Sequence, residues 1–77
     1  METEFTINLG GSKVSFMVHR PYGGSDFSVT HDNEVLCDGY QSDGRFYFLS
    51  MSKKVELFKE IFEAKVIKTL KRVQKTI

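Results

Sequence analysis

Two runs of strict alternation joined by a pair of glycines restrict this 77-residue chain more than any other feature. In residues 3–9, Phe5, Ile7 and Leu9 fall on one face and Glu4, Thr6 and Asn8 on the other; residues 13–19 repeat the pattern with Val14, Phe16 and Val18. A period of two with one apolar face marks a half-buried strand. A two-residue Gly10-Gly11 turn pairs Leu9 with Ser12, Ile7 with Val14 and Phe5 with Phe16. Turn chemistry and alternation therefore demand the same register.

Beyond the loop at residues 20–25, Phe27 and Val29 alternate with Ser28 and Thr30, and Asp32-Asn33 offers a tight turn into Val35-Leu36-Cys37. Asp43-Gly44 accepts the positive φ of a type I′ turn and joins residues 34–42 to Arg45-Phe46-Tyr47-Phe48-Leu49. Gly39 interrupts the strand before that turn. A glycine there marks a bulge that exchanges faces, so the core face beyond Asp38 stays unassigned, and residues 38–44 also read as a plain loop.

From about Ser52 to Ile77 there is neither Gly nor Pro, and Val55, Phe58, Phe62, Val66, Leu70, Val73 and Ile77 recur at spacings of three and four. That is a helix with one apolar stripe, and Ser52 suits its N-cap although Lys53 and Lys54 oppose the dipole in the first turn. The expected fold is α+β: a single domain over 1–77 with a five-stranded antiparallel meander (about 3–51) and one long C-terminal helix (about 52–77) packed on the sheet. A 25-residue helix is about 38 Å long, against roughly 20–27 Å for strands of six to eight residues. The basic helix end, 65–77, is expected to project past the sheet.

Charge is sorted along the chain. Residues 1–63 hold all ten acids against six cations, a balance of −4, while Lys65, Lys68, Lys71, Arg72 and Lys75 stand unopposed in the last fourteen residues. At 100° per residue these five occupy an arc opposite the apolar stripe, and Glu56, Glu60 and Glu63 form a separate acidic edge. A basic face invites nucleic acid or an acidic protein surface. Arg20 and Tyr22, a cation and an aromatic beside flexible Gly23-Gly24, are further candidates for touching phosphate and stacking on a base. Leu57, Ile61 and Ala64 lie on the reverse of the helix's first half, and Val73 and Ile77 extend the stripe past the expected sheet. A protein partner or a second copy of the chain, as a homodimer, is the expected cover for these five.

Motifs for chemistry are lacking. Gly10-Gly11-Ser12-Lys13 lacks the earlier glycine of a phosphate loop and leads into a strand. His19, His31 and Cys37 have no close ligand spacing, so no metal is expected. Ser25-Asp26 with either histidine shows no nucleophile elbow, and so small a domain has little room for a substrate pocket, so neither an enzyme nor a cofactor is expected. A lone cysteine points to a reducing compartment, and the longest apolar run, Phe46-Tyr47-Phe48-Leu49, is far short of the roughly 20 residues of a span, so the chain reads as cytoplasmic. The expected function is a small non-catalytic module that binds nucleic acid non-specifically through the basic helix face. The alternative is an inhibitor or adaptor that binds a protein through the same helix.

Overall fold

The computed structural model describes residues 2–21 and 24–74, with side chains in the last helix as far as Arg72. Five strands, β1 (Glu2–Leu9), β2 (Ser12–His19), β3 (Asp26–His31), β4 (Glu34–Ser42) and β5 (Arg45–Met51), form one antiparallel sheet in chain order. Two helical segments follow, α1 (Lys53–Glu56) and α2 (Lys59–Gln74). The expected α+β meander with a helix packed on it is the fold observed.

The first hairpin has the register that the alternation requires: Phe5 faces Phe16, Ile7 faces Val14, and Leu9 faces Ser12. Gly10 and Gly11 take φ of 58° and 86°, the left-handed pair of a type I′ turn. Asp32-Asn33 and Asp43-Gly44 turn the chain in the same way, with φ of 50° and 66°, and of 53° and 78°.

Register shifts correct the two later hairpins. A regular β3–β4 ladder running back from the Asp32-Asn33 turn would set Asp38 opposite Phe27 in the core. Instead Thr30 faces Val35 while Val29 faces Cys37, so Leu36 is the extra residue of a bulge, and Phe27 faces Gly39. Leu36 and Cys37 are both buried in consequence. A second shift makes Leu49 the extra residue of β5, which sets Cys37 opposite Met51 and leaves Asp38 beside Ser50, whose hydroxyl donates to it at 3.3 Å. The irregularity thus falls beside Gly39, as the sequence suggests, but the inserted residue lies on the neighbouring strand. A Cβ at Gly39 would collide with the Tyr47 carbonyl oxygen and lie 2.5 Å from Phe27 Cζ.

The helical region departs from one continuous rod. Ser52 caps α1, its Oγ accepting from the Lys54 N–H at 3.2 Å while its own N–H donates to Leu36 O at 2.7 Å. At the end of α1 the Phe58 N–H donates to Val55 O, a three-residue step that tightens the helix, before Phe62 N–H donates to Phe58 O and regular winding resumes in α2. Across this break Val55, Phe58 and Phe62 all pack into the core against the sheet. Phe62 is fully buried, 5.5 Å from the Phe16 ring and 6.1 Å from Phe5, and Phe5 stacks on Phe16 at 5.3 Å.

From this anchor α2 lies over β1 and β2. Val66, Thr69 and Leu70 are also buried, the Thr69 hydroxyl donating to Lys65 O at 2.8 Å. The expected overhang is therefore absent from the described residues: α2 is sixteen residues long, about 24 Å, and is seated on the sheet as far as Leu70. The reason is that Val66, Thr69 and Leu70 pack against the sheet where the basic end was expected to run past it.

A domain of this length has about 4–12 kcal/mol of stability to lose, at roughly 0.05–0.15 kcal/mol per residue. Phe62→Ala is expected to remove about 3–5 kcal/mol, a cavity cost large enough to leave the chain partly unfolded at 37 °C by circular dichroism. Gly39→Ala is expected to cost roughly 1–3 kcal/mol in urea denaturation, by overpacking.

Candidate partner-binding surface

The helix face turned from the sheet is built by position. With Phe62, Val66, Thr69 and Leu70 committed inward, 100° steps place Lys68 and Lys71 on the opposite side and Lys65 and Arg72 on the flank. All four are exposed. Neighbours three and four apart on a helix lie about 5–6 Å from each other at Cβ, so the four make one contiguous cationic strip.

Among the described residues no carboxylate lies within ion-pair distance of it. The ion pairs among the described residues are His19 with Glu2 at 3.3 Å, His31 with Asp32 at 3.3 Å and Lys54 with Glu34 at 2.7 Å, and none involves Lys65, Lys68, Lys71 or Arg72. On the β1 side the strip borders a shallow groove lined by Glu4, Thr6, Lys65, Lys68, Thr69 and Arg72. Toward the N-terminal end it meets exposed apolar groups: Leu57 is 98% and Ile61 55% exposed, and Ala64 is exposed too. Ile61 and Ala64 thus adjoin the cations on the outer face of α2, and Leu57, in the break before it, shares a depression with Ile61, Glu56 and Glu60.

Arg20 separates from this surface. Arg20 donates to Gln41 Oε1 at 2.6 Å and to Gly24 O at 3.3 Å, and it lines a different depression with Glu2, His19, Asp26 and Asp38. Tyr22, Lys75 and Ile77 lie outside the described residues, as does the side chain of Val73. An outward-facing aromatic pair, Tyr40–Tyr47, stacked at 5.0 Å, lies on a strand face that the sequence alone leaves unassigned. Its signal is the alternation itself, because Phe46 and Phe48 point in and Tyr47 must then point out.

The polar groups weighed for chemistry are dispersed. His19 Nε2 and Thr30 Oγ1 are hydrogen bonded at 2.8 Å, His31 Nδ1 lies 2.8 Å from Ser15 O, and Cys37 is in the core. No group of three metal-ligating side chains gathers among the described residues, and no helix among them is long and apolar enough to cross a membrane. Burial pushes the Cys37 thiol up to about 12, with Asp38 and Glu63 adding to the rise and a backbone hydrogen bond at Val29 opposing it. No family model matches the chain, and no curated protein and no solved structure matches it either.

The Cys37 shift sets a pH dependence. Above pH 9.0, the thiol's ordinary value, the unfolded chain releases this proton while the folded one retains it up to about 12. Stability should be fully present below pH 9 and fall by about 1.4 kcal/mol per pH unit between 9 and 12. Urea denaturation of Cys37→Ala beside the parent chain isolates this slope, which the variant should lack.

Proposed function

We propose that the chain is a small non-catalytic binding module, an adaptor or inhibitor, that engages an acidic protein partner through the outer face of α2. One observation carries the reading: four cations with no ion pair among the described residues share the exposed face of α2 with Ile61 and Ala64, and Leu57 lies beside Ile61 just before it. A polypeptide that offers carboxylates beside apolar side chains satisfies both halves of that face. A phosphate backbone satisfies only the cations. Glu4 in the bordering groove further weakens the attraction for a continuous polyanion.

A second copy docked helix to helix would bring two sets of four cations together, so the occupant is a different chain. The buried unpaired thiol of Cys37 fits a reducing, cytoplasmic setting. Non-specific nucleic-acid binding is the second reading, resting on the same Lys65, Lys68, Lys71 and Arg72.

Fluorescence anisotropy with labelled peptides separates the two. An acidic peptide interspersed with Leu should bind at low salt, lose at least tenfold in affinity when the four cations become Gln, and lose severalfold with Leu57→Asp. A labelled DNA duplex should bind more weakly, with a steep salt dependence and no response to uncharged Leu57→Gln. Tighter duplex binding that ignores Leu57 would establish the nucleic-acid reading instead, and affinity unchanged by the four Gln substitutions would remove the basis of both.

A further inference from the structure

The sheet is open, with β1 at one edge and β5 at the other. Edge strands present unpaired main-chain donors and acceptors, and folded proteins usually blunt them with bulges, prolines or lysines. β5 carries its bulge at Leu49. β1 has none of these devices: its eight residues pair with β2 without interruption, and it contains neither Pro nor Lys.

The outward groups of β1 are fixed by the hairpin. In a two-residue turn the flanking Leu9 and Ser12 exchange both hydrogen bonds, and the ladder then alternates. Ile7, Phe5 and Thr3 thus point their main-chain groups at β2, while Asn8, Thr6 and Glu4 point theirs at the open edge. Beside that edge lies the groove in which Lys65, Lys68 and Arg72 face Glu4 and Thr6.

Resting on the binding role above, we propose that β1 takes up an extended acidic segment of the partner as a sixth strand. Main-chain bonds to Glu4, Thr6 and Asn8 supply the pairing, and alternate side chains supply the selectivity. On the α2 side of the added strand they meet Lys65, Lys68 and Arg72, which select Asp or Glu. On the opposite side they lie beside Glu2 and Glu4, which select Thr, Lys or another non-acidic group. A second copy of β1 is a poor occupant, because ETEFTINL offers Thr3, Phe5 and Ile7 to the cations and its glutamates to Glu2 and Glu4.

The test uses an acetylated ten-residue peptide that alternates Glu with Thr and Val, added to the full chain at low salt. Amide exchange followed by NMR should slow at least tenfold at Glu4, Thr6 and Asn8, with little change at Phe5 and Ile7, whose amides already bond β2. Thr6→Pro, which removes one outward donor at an edge position, should weaken the peptide at least tenfold. The same peptide N-methylated at alternate residues should bind at least tenfold more weakly, a comparison that leaves the protein untouched. Tight peptide binding with no added protection at those amides, and indifference to N-methylation, would overturn strand addition while leaving an acidic partner on α2. Absence of peptide binding altogether would overturn both. Protection of the same amides by raising the protein concentration alone, with a dimer by sedimentation, would assign the edge to self-pairing instead.

Discussion

The contact between Phe62 and the stacked Phe5–Phe16 pair fixes everything else in this molecule. Those three rings join the first hairpin to the last helix, across nearly the whole chain. They set the helix over β1 and β2 and not over the middle of the sheet. Because α2 lies there, its flank and the open edge of β1 border the same groove. Moved two strands across, the same cations would overlook the interior of the sheet, where every main-chain group is already paired.

Concentrating cations on one helix carries a cost. Lys65 with Lys68, Lys68 with Lys71, and Lys68 with Arg72 are like-charge neighbours at helical spacing, each unfavourable by about 0.2–0.5 kcal/mol. The negative end of the helix dipole offsets part of this for Lys71 and Arg72 in the last turns. Burial of Phe62, Val66 and Leu70 outweighs the rest, at about 1.5–3 kcal/mol for each large side chain. The fold therefore tolerates the cationic strip without needing it, which fits the proposed binding role. Lys53 and Lys54 differ: they sit at the unfavourable positive end of α1, and Lys54 is matched by Glu34 at 2.7 Å.

The first hairpin, the two later turns and the presence of a terminal amphipathic helix were legible because each depends on neighbours in sequence. Residues 5–16 carry their register in turn and alternation together. The bulges at Leu36 and Leu49 were less visible, yet the conflict that produces them is written in the chain. A tight Asp32-Asn33 turn with a regular ladder would bury Asp38 against Phe27, and one extra residue resolves that by bringing Gly39 there. The break at Leu57 had no local signal, since no Gly or Pro marks it. The exposure of the cations was legible and their setting was misread. Lys65, Lys68, Lys71 and Arg72 are exposed and have no ion pair among the described residues, as the charge pattern implied, but they ride on the body of the domain and not on a projecting arm.

That setting alters the chemistry the cations can perform. On a projecting arm they would act as mobile point charges, attractive to any polyanion and discriminating poorly among them. Held against β1, Lys65 and Arg72 gain fixed positions relative to a row of main-chain donors and acceptors and to the carboxylate of Glu4. In the proposed complex, geometry of this kind would select for spacing as well as for sign, because an added strand would meet them with every second residue of an extended chain. Glu2 and Glu4, on the solvent face of the same strand, act in the opposite sense. They repel an identical strand or a uniformly acidic one, and so leave an edge that is open in hydrogen bonding but restricted in charge.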